Sequence, residues 1–376
     1  MSADMSNKEI PSGQKQHSSS SRRFFKIFLQ VIAMVAMFAV LLWYVGIGDL
    51  YAALKTIKLE YLALAFLMYF GINVLFAIRL QRVLRKYNIK TSFGKTLLAQ
   101  YAGMLTSDVT PGRAGYIFTP LYLKDQNVPA PKALSTILGI QTIEFLIKVA
   151  GGIGAVIYLV KYVPTTIWND MFPQTIAGIN AGILLAGLGI GLMLLGATVL
   201  ALFTWSKKAL NIFTKIANTR LLKRFTGGLI GKLEEFKESA HNTQNAIPEI
   251  IAITLACWIL KGIEWWLLGI ALGIGNVPWI AYFLIHPLVT ALAFVPLTPA
   301  GIGVQEFGIV GILGLLGIPL ATAGAFALIA RGLLIIEDLI GLPQIVKSTS
   351  LLLTKNKKQQ TTTKTPPTQT QPQNNI

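Results

Sequence analysis

Long apolar runs alternate with short polar and basic segments along the chain. A helix needs about 20 predominantly apolar residues to cross the hydrocarbon core of a bilayer. Runs of this kind occupy residues 24–45, 61–80, 133–159, 176–203, 248–272 and 321–346. The pattern predicts an all-α, polytopic membrane protein with six first-rank transmembrane helices.

Lysine and arginine residues gather between the apolar runs. They cluster at residues 22–26, 79–95 and 207–237, and again from residue 347 onward. Short loops that are rich in Lys and Arg stay on the cytoplasmic side of a membrane. We therefore expect a multi-pass protein of the cell membrane with both termini in the cytoplasm, and with Arg79 in a cytoplasmic flank.

Two further stretches, 96–131 and 275–319, lie between these runs. The sides assigned to their neighbours require the first stretch to begin and end inside, and the second to begin and end outside. Each is predicted to form a re-entrant or paired-helix hairpin, and the two hairpins are opposed. The halves at about 60–160 and 248–346 then form an inverted repeat within a transmembrane domain of residues 22–346.

The segments outside the two halves are polar or amphipathic. Residues 205–245 alternate apolar with charged side chains, which predicts a cytoplasmic linker that lies along the membrane interface or, alternatively, a solvated helix without lipid contact. Residues 1–21 and 347–376 lack the apolar side chains that could offset chain entropy. Both are predicted to be disordered cytoplasmic tails.

Composition and charge exclude several other classes. Hydrophobic residues make up 53% of the chain and charged residues only 13%, against about 25% charged in soluble domains. The net charge of +17 resides in membrane flanks, so we expect no nucleic-acid partner. The single cysteine, Cys257, provides neither a disulfide framework nor a metal-thiolate site. Neither a nucleotide loop nor a nucleophile elbow is present, so we expect no enzyme activity, no cofactor and no metal.

Each hairpin has a tip that contains Pro and Gly. The tips are Thr110-Pro111-Gly112-Arg113-Ala114-Gly115 and Thr298-Pro299-Ala300-Gly301-Ile302-Gly303. Broken helices at membrane depth present bare N–H groups, which favour an anion. The predicted substrate-binding residues of the tips are Gly112, Arg113, Gly115, Gly301 and Gly303. The alternative is that these glycines only allow tight helix packing.

Ionisable residues inside the apolar runs occur at helical spacing. Such residues cost at least about 2.5 kcal/mol each on insertion scales, so each needs a partner or belongs to a pathway. Glu144 and Lys148 are four residues apart, which places them on one helix face. Lys261 and Glu264 are three apart. These four residues are predicted to form a polar or coupling network, with structural ion pairs as the alternative.

Arg331 lies deep in the last apolar run and has no opposite charge within one helical turn. Its partner must therefore come from elsewhere in the fold or from a ligand. Glu306, beside the second tip, is one candidate, and a lipid phosphate is the other. We predict that Arg331 binds substrate and that Glu306 belongs to the polar network.

These motifs resemble a known family, the transmembrane region of lysylphosphatidylglycerol synthase, which comprises flippase-like membrane proteins. The resemblance rests on the first-tip motif, Glu144, Arg331 and the run Pro299-Ala300-Gly301-Ile302-Gly303-Val304-Gln305-Glu306, and it covers about residues 24–346. Family members tend to carry an acidic residue where this chain has Tyr116, and Arg and later Asp where it has Phe145 and Lys148. The soluble aminoacyl-transferring domain of the synthase does not follow Val346. The resemblance therefore implies lipid translocation without synthetic activity.

The leading hypothesis is a flippase-like transporter of an anionic lipid, either a phospholipid or a polyprenyl-phosphate-linked glycan. In this hypothesis Arg113 and Arg331 bind phosphate, and Glu144, Glu264 and Glu306 orient the basic residues or carry a coupling proton. One alternative is a membrane scaffold that partners a separate glycosyltransferase or lipid-modifying enzyme. Others are a secondary carrier for a small soluble anion and an intramembrane enzyme.

Overall fold

The computed structural model describes residues 46–110, 114–206, 243–292 and 301–351, together with residues 39, 40, 43, 208, 211, 212, 236, 239 and 298. Within these residues the chain is almost entirely helical, which confirms the all-α class. Two strands of two residues each, β1 (Thr175–Ile176) and β2 (Ile179–Asn180), form one antiparallel pair. Three predicted segments lie largely outside the described residues. They are the first span, the linker and the two tails.

Eleven α-helices of four residues or more have both ends within the described residues. They are α1 (Ile47–Lys55), α2 (Leu59–Arg85), α3 (Phe93–Asp108), α4 (Thr119–Tyr122), α5 (Ala130–Tyr162), α6 (Thr165–Met171), α7 (Ala181–Trp205), α8 (Ile247–Ala271), α9 (Trp279–Leu292), α10 (Val304–Leu315) and α11 (Leu320–Asp338). Short 3-10 turns occupy Ala114–Phe118, Lys124–Gln126 and Leu339–Gly341. A further helical stretch covers residues 342–351.

Four of the described helices, α2, α5, α7 and α8, are long and apolar enough to cross a membrane. They correspond to the second, third, fourth and fifth predicted spans. The fourth begins later than predicted, at Ala181 instead of residue 176, because residues 175–180 form the β1–β2 turn. Asn180 then caps the helix, since its side-chain oxygen accepts a hydrogen bond from the N–H of Gly182 at 2.9 Å.

The last predicted span, 321–346, is not one continuous α-helix. Helix α11 ends at Asp338 and gives way to the 3-10 turn Leu339–Gly341. Pro343 explains the break, because its ring clashes with the carbonyl four residues earlier and it has no N–H to donate. The following helix continues through residues 347–351, which were predicted as the start of the tail.

The helices of both hairpins are short. Helices α3, α9 and α10 have 16, 14 and 12 residues, or about 18–24 Å at 1.5 Å per residue, against a hydrocarbon core of about 30 Å. The return leg of the first hairpin contains only the one-turn helix α4 and 3-10 turns. These lengths favour the re-entrant form over a pair of full crossings.

Helix packing crosses between the two predicted halves. Helices α2 and α8, the first helix of each half, pack against each other. Helix α9 from the second hairpin lies on α5, and α3 from the first hairpin lies on α11 and on the turn after it. These contacts between the two halves support the inverted repeat, which stays a prediction.

Helix α7 presents an apolar outer face. Large side chains on it are more than half exposed, among them Leu185, Leu188, Leu195 and Val199. A continuous apolar face of this kind fits hydrocarbon and would be an aggregation hazard in water. Leu195 and Val199 of this face also line a cavity, and charged side chains from other helices line it too.

Candidate functional site

A cavity of about 570 Å³ lies between α2, α5, α7, α8, α9, α10 and α11. Most of its wall is apolar, as is usual for sites that hold organic ligands. Its charged lining residues are Glu144, Lys148, Lys261, Glu306 and Arg331. All five were predicted from the sequence as site residues, and the fold brings them into one cavity although they come from four helices.

The second tip is built around two glycines. Gly301 and Gly303 have φ angles of 68° and 88°, in the left-handed region that side chains with a Cβ rarely adopt. This backbone lets the N–H of Gly303 donate to Oε2 of Glu306 at 2.6 Å. The same carboxylate accepts from Nε of Arg331 at 2.5 Å through Oε1. Glu306 thus ties the start of α10 to α11.

Two acceptors hold the guanidinium of Arg331. Its Nη2 donates to Oε1 of Gln305 at 2.8 Å, while Nε is bound to Glu306. Among the described residues no acceptor bonds to Nη1. The side chain is 9% exposed and Glu306 only 1%, so the pair sits in the wall of the cavity. Of the two partners predicted for Arg331, the structure shows the carboxylate.

A second charged cluster surrounds Glu144 of α5. Oε2 of Glu144 accepts from Nη2 of Arg79 at 2.9 Å, and Oε1 accepts from Nζ of Lys148 at 2.7 Å. Nη1 of Arg79 also donates to Oγ1 of Thr254 at 2.6 Å, and its guanidinium lies 4.5 Å from the ring of Phe76. One carboxylate therefore serves two cations.

The position of Arg79 differs from the one predicted from the sequence. It was expected in a cytoplasmic flank, but the structure places it between α2, α5 and α8 with only 5% of its surface exposed. The sequence does carry a signal, because Arg79 is the one charged residue within the apolar run 61–80. A lone charge near a span end satisfies the positive-inside rule equally well, so the run alone could not separate the two placements.

A third pair forms on α8. Nζ of Lys261 lies 2.7 Å from both carboxylate oxygens of Glu264, and 4.5 Å from the ring centre of Tyr69 on α2. Glu264 is 1% exposed. The three-residue and four-residue spacings thus produce ion pairs, which were the alternative given for these four residues.

The N–H groups of the tip glycines bond within the protein, whereas the prediction expected them to be available to an anion. The N–H of Gly115 donates to Oγ1 of Thr110 at 2.7 Å, that of Gly303 is taken by Glu306, and that of Gly301 points to the carbonyl of Thr298 at 3.3 Å. These three N–H groups are therefore occupied within the protein, and not bare as expected for an anion site. A Cβ on Gly115 would overlap the backbone of Thr106 and Ser107, which supports the packing alternative. Gly112 and Arg113 lie outside the described residues.

Sequence reasoning missed a further polar cluster at the end of α11. Oε1 of Glu337 accepts from Tyr101 Oη at 2.8 Å and from Asn73 Nδ2 at 3.3 Å. Both oxygens of Asp338 lie 3.2 Å from Tyr69 Oη. All five side chains are buried. Tyr69 joins this cluster to the cavity, which it also lines.

Comparison with known proteins identifies the same kind of membrane domain. The family model described as Lysylphosphatidylglycerol synthase TM region matches residues 28–339. The chain is also similar to the UPF0104 membrane protein PH1989 of Pyrococcus horikoshii, with 24% identity over 301 residues that cover 75% of this chain and 84% of the relative.

Proposed function

Because the chain belongs to the lysylphosphatidylglycerol synthase TM region family, we propose that it moves an anionic lipid between the leaflets of the cell membrane. The lipid is a phospholipid or a polyprenyl-phosphate-linked glycan, and its headgroup enters the charged cavity. The basic segments and both termini face the cytoplasm. In this proposal the protein itself makes and breaks no covalent bond in the lipid.

The net charge of the three ion clusters carries the proposal, since each cluster has at least one member that lines the cavity. The three ion clusters contain four cations, Arg79, Lys148, Lys261 and Arg331, and three carboxylates, Glu144, Glu264 and Glu306. One positive charge is in excess because Glu144 is shared. A phosphodiester carries one negative charge and would neutralise that excess inside a low-dielectric site, where an unmatched charge is costly.

Lys148 and Arg331 are the side chains best placed to contact a phosphate. The side chain of Lys148 is 21% exposed, against 13% for Lys261 and 9% for Arg331, so it is the most accessible of the three cavity cations. Arg331 offers Nη1. Glu306 orients Arg331 and does not need to touch the lipid. Arg113 remains a predicted phosphate contact from the sequence.

The apolar part of the wall offers a route for acyl or prenyl chains. Ile117, Leu195 and Val199 line the cavity, and the same three side chains are 53%, 60% and 56% exposed. The cavity therefore reaches the outer apolar surface at these residues. A lipid could keep its chains there while its headgroup occupies the charged interior.

Leaflet exchange in reconstituted vesicles tests the proposal. The purified protein is reconstituted with a fluorescent anionic phospholipid, and a membrane-impermeant quencher reports the exchange. Arg331→Gln and Lys148→Gln should each slow exchange by at least about tenfold, which corresponds to about 1.4 kcal/mol. The matched control is Lys86→Gln, because Lys86 pairs with Glu249 at 2.7 Å on the surface, away from the cavity.

Each result separates the hypotheses. Unchanged exchange in both cavity variants would refute the phosphate assignment. Absence of exchange by the unaltered protein, together with co-purification of a lipid-modifying enzyme, would favour the scaffold. Mass spectrometry of the lipids retained by the purified protein distinguishes phospholipid from polyprenyl phosphate.

A further inference from the structure

Glu337 is buried without an ion-pair partner among the described residues. It is 0% exposed, and its Oε1 accepts hydrogen bonds from Tyr101 and Asn73, both of which are neutral. Its Oε2 has no hydrogen-bond partner in the described part of the chain. An ionised carboxylate in this setting would lack the compensation that buried charges need.

A second buried acceptor without a donor lies on Asn73, next to Glu337. Oδ1 of Asn73 is also buried and has no hydrogen-bond donor among the residues that the structure describes. It belongs to the amide whose Nδ2 lies 3.3 Å from Oε1 of Glu337. A proton on Oε2 removes the negative charge of Glu337 and turns this buried acceptor into a donor.

The charged and titratable groups around Glu337 come from several helices. Tyr69 and Tyr101 approach from α2 and α3. Lys261 and Glu264 of α8 lie near Glu337, but Lys261 is already bound to both oxygens of Glu264.

On α11 itself, Asp338 accepts from Tyr69. Arg331 of the same helix is bound to Glu306 of α10. Lys261 and Arg331 are therefore both occupied by other carboxylates.

We propose that Glu337 is a proton-binding site within the membrane domain, which holds a proton as a neutral acid, and that Tyr69 couples this site to the cavity. Tyr69 has both contacts that the coupling requires. Its hydroxyl bonds to Asp338, and its ring lies under Lys261 in the cavity wall. The coupling rests on the proposed function, whereas the proton site does not.

Coupling follows from the position of Lys261. An anionic headgroup in the cavity attracts Lys261, which sits on the ring of Tyr69. A shift of Tyr69 alters its bond to Asp338, next to Glu337 in the chain. The bound anion and the displaced cation both favour the neutral acid, so Glu337 keeps its proton while the headgroup is bound. When the headgroup leaves and Lys261 returns, the acid releases that proton to water and becomes a carboxylate, and no other bond changes. Lipid movement should therefore be accompanied by proton movement.

Infrared difference spectroscopy tests the proton site without any transport. The full-length protein in lipid nanodiscs is titrated from acidic to alkaline pH, and the carbonyl band of a protonated carboxylic acid is followed. The band should be present near neutral pH, lost in Glu337→Gln and kept in Glu249→Gln, which alters an exposed glutamate. Tyr101→Phe should shift the same band, because it removes a hydrogen bond to that acid.

Several outcomes would overturn the proton site. They are absence of the band near neutral pH, its persistence in Glu337→Gln, or an unchanged band in Tyr101→Phe. If the band disappears when sodium chloride replaces choline chloride, the two buried acceptors bind a metal cation instead of a proton.

Vesicles that contain a pH-sensitive dye test the coupling. Lipid exchange by the unaltered protein should change internal pH, and Tyr69→Phe should lose this change while the ring under Lys261 remains. An unchanged pH signal in Tyr69→Phe would refute the role of Tyr69. An infrared band with no lipid exchange at all would leave the proton site standing and refute the proposed function.

Discussion

Three buried glutamates and a fourth, Glu337, lie in the same helix bundle but have different kinds of partner. Glu144, Glu264 and Glu306 each pair with a cation at 2.5–2.9 Å. Glu337 is at least as buried, yet its hydrogen bonds come from a tyrosine and an amide. Burial alone therefore does not decide what a carboxylate does. A cationic partner favours the ionised carboxylate, whereas neutral partners favour the protonated acid.

The largest effect is expected when a paired glutamate loses its charge. Glu144→Gln leaves Arg79 and Lys148 without this counter-ion, and only 6% of the Arg79 side chain is exposed. Removing one member of a buried ion pair costs about 3–5 kcal/mol. Unfolding of the purified protein in mild detergent, followed by denaturant or temperature, measures this loss.

The surface pair Lys86–Glu249 provides the control for Glu144→Gln. Both side chains are more than one third exposed, so Glu249→Gln should cost less than about 1 kcal/mol. Equal losses in the two variants would show that the Glu144 cluster is solvated and does not form the buried site described above.

An intermediate effect is expected at the contact that holds Tyr101 against Glu337. Gly341 lies in the turn after α11, and a Cβ there would overlap the backbone of Tyr101 and Ala102 on α3. Gly341→Ala should destabilise the protein by about 1–3 kcal/mol and move Tyr101 away from Glu337. Thermal unfolding measures the first effect, and the infrared band of Glu337 reports the second.

Gly332 is the matched control on α11, because a Cβ there meets nothing within 4 Å. Gly332→Ala should be neutral or stabilise the helix by about 0.5–1 kcal/mol. A similar loss in both glycine variants would mean that the close approach of α3 is not what Gly341 provides.

The smallest effect on stability is expected at Glu337 itself. Gln keeps an oxygen for Tyr101 and Asn73 and removes no ion pair, so Glu337→Gln should change the free energy of unfolding by less than about 1 kcal/mol. The same unfolding assay checks this. A loss as large as that in Glu144→Gln would contradict the comparison, because it would mean that Glu337 is ionised and paired.

Features of the site that depend on neighbouring residues were predictable. Lys148 follows Glu144 by four residues and Glu264 follows Lys261 by three, and a helix brings both spacings together. Glu306, beside the second tip, was one of two candidate partners for Arg331, and the two side chains do pair. The N–H groups of the tip glycines were predicted less well, since their hydrogen-bond partners depend on how each tip closes on itself.

Partners that come from distant helices were not predictable. Arg79 and Glu144 are 65 residues apart, and Tyr101 and Glu337 are 236 apart. The sequence contains each residue but not the crossing of α2, α3, α5 and α11 that brings them together. Arg79 shows the consequence, because its position at a span end matched a cytoplasmic flank until the fold placed it in the core.

The sequence by itself determined that this is a helical membrane domain, where four of its spans lie, and which charges pair along one helix. Apolar length and helical periodicity are local properties, and these features depend on nothing else. Only the tertiary structure decided which carboxylates share cations and which have neutral donors. The partners of each carboxylate depend on which helices touch. In a buried site, a neighbouring side chain takes the place of water as the partner of a charge.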